Sequence, residues 1–196
     1  MSQLKIPVAH PVYCASGNAA DLETGLAELM AMPEKDLVKL VPEMNGFTYC
    51  GCPNCTAGCL EWNIIVWNGP KDPDHVHCQY CKMVFPNDEY PEKQTLEVPD
   101  NKGSIRTWRY YKDNQGNQYY FSARARQEAK YYMADKAYEF AAAYALTGKQ
   151  EYARRVALIL QRFSEVYPMY NLMQQYPAPG QKYPVDPAEA KARPPR

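Results

Sequence analysis

Two pairs of cysteines stand out in the sequence, because each pair is separated by only two residues. They are Cys52-x-x-Cys55 and Cys78-x-x-Cys81, with 22 residues between the pairs. A two-residue gap lets both sulfurs of one tight turn reach the same ion, and zinc prefers four such ligands at about 2.3 Å in a tetrahedron. Four thiolates leave no coordination position open to water. The spacing therefore predicts a structural zinc site.

A redox dithiol and a disulfide framework are the two alternatives to zinc for paired cysteines. A redox dithiol normally lies at a strand-to-helix turn of a βαβ unit, and the sequence around both pairs lacks that pattern. A disulfide framework fits poorly with seven cysteines and with pairs that are only two residues apart. Both alternatives are thus less suited to this sequence than zinc.

Further ligand types crowd the same segment. Cys50, Cys59, His75 and His77 either substitute as zinc ligands or build a second site, because thiolate and imidazole both suit zinc. The alternative is that the two cysteines are small buried hydrophobic residues and the histidines are loop residues. Cys14 is expected to be a free thiol.

The chain is predicted to consist of five parts, of which the second positions the cysteines. Residues 1–44 form a lead-in followed by short helices, and residues 45–91 form a zinc-ribbon-like module in which glycine, proline and asparagine punctuate short apolar runs. Residues 92–122 form a β-hairpin, residues 123–167 a helical hairpin, and residues 168–196 a proline-rich tail. The predicted fold class is α+β.

Within these parts, the clearest strand runs from Trp62 to Trp67, and the β-hairpin turns at residues 113–117. In the lead-in, Asp21 is predicted to cap the first helix. The first helix of the helical hairpin is predicted to end at Gly148, in the left-handed conformation that closes helices. Two adjoining apolar stripes on that helix predict burial on more than one side. They comprise Ala134, Ala137, Tyr138, Ala141 and Ala145, and Met133, Phe140 and Tyr144.

Charge and composition exclude some classes of partner. The chain has 22 basic and 22 acidic residues among 196, so it lacks the positive charge that nucleic-acid or anionic membrane binding exploits. No apolar run approaches the roughly 18 residues of a membrane span. Nucleic acid and membrane are therefore not expected as partners, and localisation stays open. The 17 tyrosines suit either a core in which the tyrosine hydroxyls reach solvent or a surface on which sugar rings stack.

Three strings of the sequence resemble heparinase II/III-like and alginate-lyase-like polysaccharide lyases. They are Cys52-Pro53-Asn54-Cys55, Cys78-Gln79-Tyr80-Cys81-Lys82-Met83-Val84-Phe85-Pro86-Asn87, and Ala143-Tyr144-Ala145-Leu146-Thr147-Gly148-Lys149-Gln150-Glu151-Tyr152-Ala153-Arg154-Arg155. The resemblance covers roughly residues 30 to 170. It implies that the helical hairpin belongs to an incomplete (α/α) toroid followed by a β-sandwich domain, in a protein that cleaves uronic-acid polysaccharides by β-elimination.

The catalytic residues of such lyases are not expected in this chain. The sequence has no Asn-His dipeptide, and its three histidines precede the helical hairpin. A toroid of about ten helices also does not fit in 196 residues. The chain is therefore expected to be an N-terminal region or a reduced relative, with little or no lyase activity alone.

Sugar contacts are predicted at Arg124, Arg126, Tyr131 and Tyr132, as one wall of a cleft for acidic polysaccharide. The alternative for the arginines is a solvated position or a pair with an acid such as Glu128. The alternative for the whole chain is a non-enzymatic, zinc-stabilised module that binds carbohydrate or protein.

Overall fold

Helices and two antiparallel sheets build the structure, a computed structural model that describes residues 18–47, 50–55, 64–100 and 102–170. The helices are α1 (Ala19–Ala31), α2 (Glu34–Lys39), α3 (Phe121–Thr147) and α4 (Gln150–Val166), with a 3-10 turn at Tyr167–Met169. The strands are β1 (Ile65–Trp67), β2 (Val76–Cys78), β3 (Val84–Phe85), β4 (Gln94–Pro99), β5 (Ile105–Lys112) and β6 (Gln118–Tyr119). The mixture of helices and sheets agrees with the predicted class. Among the described residues, no helix is long and apolar enough to cross a bilayer.

A helical core forms where α1 and α4 pack on the C-terminal half of α3, and α2 packs on α4. Leu26, Leu37, Met133, Phe140 and Ile159 are all fully buried in it. This burial is the main source of stability for these helices, because short amphipathic helices are marginal alone.

The ends of the helices follow their capping residues. Asn18, and not Asp21, caps α1: the Asn18 side chain accepts a hydrogen bond from the Asp21 backbone amide at 2.8 Å. The prediction for α3 is confirmed, because Gly148 has φ 70° and its amide donates to the Tyr144 carbonyl at 2.8 Å. Glycine has no Cβ, so it adopts this left-handed conformation without a steric clash.

Helix α3 is buried differently along its length. In its C-terminal half Met133, Ala137 and Phe140 are buried, but most of the first predicted stripe is exposed, namely Ala134, Tyr138, Ala141 and Ala145. That part of the prediction is wrong, since the neighbouring helices cover only one side there. The N-terminal half is the part that is surrounded, because it also contacts β1, β2 and β5.

The first sheet has the order β1-β2-β3, and its buried face rests on α3. Trp67 pairs with Val76, and Val76 pairs with Phe85 across the three strands. The predicted strand from Trp62 corresponds to β1, whose described part begins at Ile65; Trp62 and Asn63 lie outside the described residues. This sheet carries the second cysteine pair.

The second sheet has the order β4-β5-β6 and contains the predicted hairpin. Its turn is held by Asp113, whose carboxylate accepts from the backbone amides of Gln115 and Asn117, both at 2.9 Å, from the Asn117 side chain at 2.8 Å and from the Tyr119 hydroxyl at 3.1 Å. Strand β4 was not predicted. It pairs along its whole length with β5, from Gln94 opposite Tyr110 onward.

A third small core joins this sheet to α3. Phe47, Trp108 and Tyr120 pack together, and the Trp108 indole donates to the Asn45 carbonyl at 3.1 Å. Gly46 lies against α3 so closely that a Cβ there would be 1.8 Å from the Ala123 carbonyl oxygen. Only glycine permits this approach of the two backbones.

Candidate metal centre

Two tight segments of backbone bring the four predicted ligands together. Cys52 and Cys55 lie in residues 50–55, which contain no strand, and Cys78 ends β2. The chain then turns sharply: the Lys82 amide donates to the Cys78 carbonyl at 2.9 Å, and Lys82 has a φ of 61°. This turn directs Cys81 back toward Cys78.

The sulfur atoms have the spacing of a tetrahedral site. Three pairs of Sγ atoms, Cys52–Cys55, Cys52–Cys81 and Cys55–Cys78, are each 3.7 Å apart. All four atoms lie within 4.8 Å of one another. Four ligands at 2.3 Å from a zinc ion would be about 3.8 Å apart along each tetrahedral edge. The four cysteines, which are not joined as disulfides, are thus placed to hold one metal ion.

The thiols differ in how readily they lose a proton in the metal-free protein. Burial raises the pKa of Cys52 strongly and that of Cys55 to about 11. Burial opposes ionisation of Cys81 as well, but hydrogen bonds from the Asn54 side chain and the Met83 backbone outweigh it and lower the pKa of Cys81 to about 7. Because metal binding requires thiolates, binding at neutral pH must release protons from the first two.

The site is attached to α3 through an apolar core. Phe85, on β3, stacks on Phe121 of α3 with ring centroids 4.5 Å apart, and Tyr90 packs edge-on against Phe85. The Tyr90 hydroxyl also donates to the Asn54 side-chain oxygen at 3.2 Å, which ties the first cysteine pair to the same core. The cysteine cluster is therefore joined to a sheet that is itself packed on the long helix.

The other candidate ligands do not join this cluster. Cys50 is buried, and burial raises its pKa. Nδ1 of His75 is 2.5 Å from the Asp72 carboxylate, and Nδ1 of His77 is 2.7 Å from the Asn68 side-chain oxygen. Neither histidine forms a cluster of three or more ligands with other described residues. Cys14 and Cys59 lie outside the described residues.

Two of the predicted sugar contacts are packing residues. Arg124 is buried, and its guanidinium donates to the Ile65 carbonyl at 3.2 Å and pairs with Glu128 at 2.9 Å, the alternative that the sequence left open. It thereby ties α3 to β1. Tyr132 is half-buried and packs edge-on against Trp67, with ring centroids 5.3 Å apart.

The other two lie at separate cavities. Arg126 faces a cavity of about 520 Å³ that is bounded by α2, α3 and the loops before β2 and after α2. Tyr131 is 49% exposed and lines a second cavity of about 460 Å³ between α3 and α4, with Leu160 and Tyr167. The four residues therefore do not form one wall of a single cleft.

Sequence reasoning missed the acidic residues around Arg126. Asp36 on α2, Glu43 in the loop after α2 and Asp74 in the loop before β2 line the same cavity. Their positions in the sequence carry no common spacing, so only the fold reveals them as neighbours.

Comparison of the chain with protein-family models, with curated proteins and with solved structures gave no match.

Proposed function

We propose that Cys52, Cys55, Cys78 and Cys81 bind one Zn²⁺ ion with a structural role. The observation that supports this is the 3.7 Å spacing of the sulfur atoms, which matches the edge of a tetrahedron around zinc. Four soft ligands without oxygen donors favour zinc over magnesium or calcium. Four protein ligands also complete the tetrahedral shell, so the ion has no position left for substrate or water.

The role of the ion follows from what it connects. Residues 50–55 pair with none of the strands in the described part of the chain, so the two thiolates of this segment would attach it to the β2–β3 turn. The sheet then presents Phe85 to Phe121 in a fixed position. We infer that zinc holds the first sheet in the shape that fits α3.

Metal analysis of the purified chain tests this proposal. We expect about one zinc per chain, and its loss in Cys81→Ser. Cys50→Ser is a matched control, because Cys50 is a buried cysteine of the same segment that lies outside the cluster. Protein purified without chelators that contains no metal would contradict the proposal.

We further propose that the chain is an N-terminal region or reduced relative of a uronic-acid polysaccharide lyase, in which it binds substrate and supports the toroid without supplying catalytic residues. The sequence resemblance suggests this. An added support is the exposed side of α3, which offers a surface for another helix to pack on; it comprises Ala134, Tyr138, Ala141 and Ala145. In an (α/α) toroid, the next helical hairpin would pack there.

Two measurements test this second proposal. The chain should retain alginate or heparan sulfate on an affinity gel, and the ultraviolet absorbance of unsaturated uronates should not rise on incubation. Turnover by the isolated chain would show that catalytic residues are present after all. Absence of retention would contradict the binding role.

The alternative is a zinc-stabilised module that binds protein. The observation that favours it is the apolar cavity between α3 and α4, with Tyr131, Leu160 and Tyr167 all about half exposed or more. Substitution of Leu160 by Asp would abolish a protein contact there but leave polysaccharide retention unchanged, which separates the two roles.

A further inference from the structure

The cavity at Arg126 combines apolar walls with charged groups. Its volume of about 520 Å³ lies in the range of small-molecule sites. The apolar part of its lining comprises Met32, Leu40, Pro42, Met44, Pro70, Pro73 and Ala129. The other five lining residues are charged and could fix the orientation of a small organic ligand between the apolar walls; they are Asp36, Lys39, Glu43, Asp74 and Arg126.

Two nitrogens of the Arg126 guanidinium are buried without a direct partner. Its Nε and Nη2 atoms are inaccessible to solvent and form no hydrogen bond with any residue that the structure describes, although the side chain as a whole is partly exposed at the cavity. Glu92 and Asp74 lie close enough to favour its charge, but within the described residues neither forms a hydrogen bond with these two nitrogens. The Glu92 carboxylate instead accepts hydrogen bonds from the amide and hydroxyl of Ser122. Burial accordingly lowers the pKa of Arg126.

An arrangement of this kind destabilises the fold in the absence of a ligand. A buried donor without a partner is destabilising, and more so when it is charged. Residues that are unfavourable for stability tend to occur at functional sites, where a ligand supplies the missing interaction. The missing partner of Arg126 is an acceptor with negative charge, and a carboxylate matches a guanidinium in planar geometry.

The acidic residues of the cavity restrict what the rest of the ligand is. Asp36 already pairs with Lys39 at 3.2 Å, and Glu43 pairs with Arg162 at 3.2 Å. Together with Asp74, they offer carboxylate oxygens that accept hydrogen bonds. They would repel a dianion such as sulfate, but they suit the hydroxyl groups of a sugar.

We propose that this cavity binds a hydroxylated monocarboxylate, with its carboxylate on Arg126 and its hydroxyl groups donating to the surrounding acids. A single uronic-acid unit has this chemistry. The choice of a uronate as the natural ligand rests on the proposed lyase-related function, whereas the ligand class rests on the cavity alone.

The test measures binding and thermal stability on the same variants. Wild-type zinc-loaded protein is titrated with glucuronate, glucose and inorganic sulfate, and the amide chemical shifts are recorded. We expect glucuronate to perturb residues 36–44 and 70–74, and glucose and sulfate to bind at least tenfold more weakly. Arg126→Met should weaken glucuronate binding by about 10- to 150-fold, the range for a hydrogen bond to a charged group.

Stability separates this role from a structural one. Arg126→Met should leave the Tm unchanged or raise it, because it removes an unpaired buried charge. Arg124→Met is the matched control: it leaves the Ile65 carbonyl and Glu128 without their partner, so it should lower the Tm yet retain glucuronate binding. Arg126→Lys keeps the charge but not the planar fork, and it should also weaken binding.

Three results would overturn the inference. In the first, glucuronate leaves the amide chemical shifts near the cavity unchanged. In the second, sulfate binds as tightly as glucuronate, and in the third, both Arg126 variants bind glucuronate as tightly as the wild type. Polysaccharide retention distinguishes this failure from failure of the proposed function. Alginate retained by wild type and Arg126→Met alike refutes the cavity but not the function. If glucuronate binds through Arg126 but alginate is not retained, the proposed function is refuted and the cavity proposal stands.

Discussion

Removal of the metal should unfold one part of the structure and spare another. The apolar core beneath the cysteine cluster and the helical core formed by α1, α2 and α4 have no buried residue in common. Chelation of the metal acts directly only on the core beneath the cysteine cluster. We therefore predict that metal-free protein loses the first sheet while the helical core stays folded.

The expected magnitude is large. A structural zinc ion contributes about 10–16 kcal/mol of apparent binding free energy near neutral pH. Whole domains are stable by only about 5–15 kcal/mol. Residues 50–55 form no strand and contain two of the four ligands, so this segment should lose the most order when the ion is removed. Without the ion, the population with an ordered segment should be minor.

Hydrogen exchange measured by mass spectrometry before and after chelation tests this prediction. Amides of residues 50–55 and 76–85 should lose protection, whereas α1 and α4 should keep theirs. Addition of Zn²⁺ should restore the original pattern. Equal loss of protection in both cores, or no change at all, would refute the reasoning that the metal stabilises a separate part.

Three further predictions concern stability, each measured as the free energy of unfolding in urea. Gly46→Ala should cost at least about 1–3 kcal/mol, because its Cβ would overlap the Ala123 carbonyl; a neutral effect would contradict the close approach. Tyr170→Phe should cost about 0.5–1.5 kcal/mol through loss of the 2.6 Å hydrogen bond to the Pro42 carbonyl, and an unchanged value would count against that bond. Burial opposes ionisation of Asp113, but hydrogen bonding from Asn117 and its neighbours outweighs burial and lowers the pKa of this carboxyl. The ionised carboxylate therefore stabilises the fold fully above the unfolded-state pKa of about 3.9, and this stabilisation is lost as the pH falls toward the lower folded-state pKa. Asp113→Asn should remove this part of the pH dependence, and an identical pH profile in the variant would refute it.

The features that the sequence predicted correctly depend on local chemistry. The two-residue cysteine gaps and the glycine at the end of α3 act within one turn of backbone, so neighbouring residues suffice to identify them. The turn at Asp113 is of the same kind.

The features that were missed depend on contacts between distant segments. Strand β4 is mostly exposed and gains its structure from pairing with β5. The burial of α3 could not be assigned because its alanines fit equally well under a neighbour or in solvent. Arg126 looks like its neighbour Arg124 in the sequence, yet only Arg124 meets a carbonyl and a carboxylate in the fold.

The stacking of Phe85 on Phe121 has a consequence for the order of events during synthesis. Cys81, the last of the four ligands, is made about 40 residues before Phe121. Domains begin to fold from the N-terminal side as the chain emerges from the ribosome. The sheet therefore emerges before the helix that covers its apolar face. During that interval a bound zinc ion would hold the strands together, so a nascent chain without zinc would expose unpaired strand edges as well as the uncovered apolar face to aggregation.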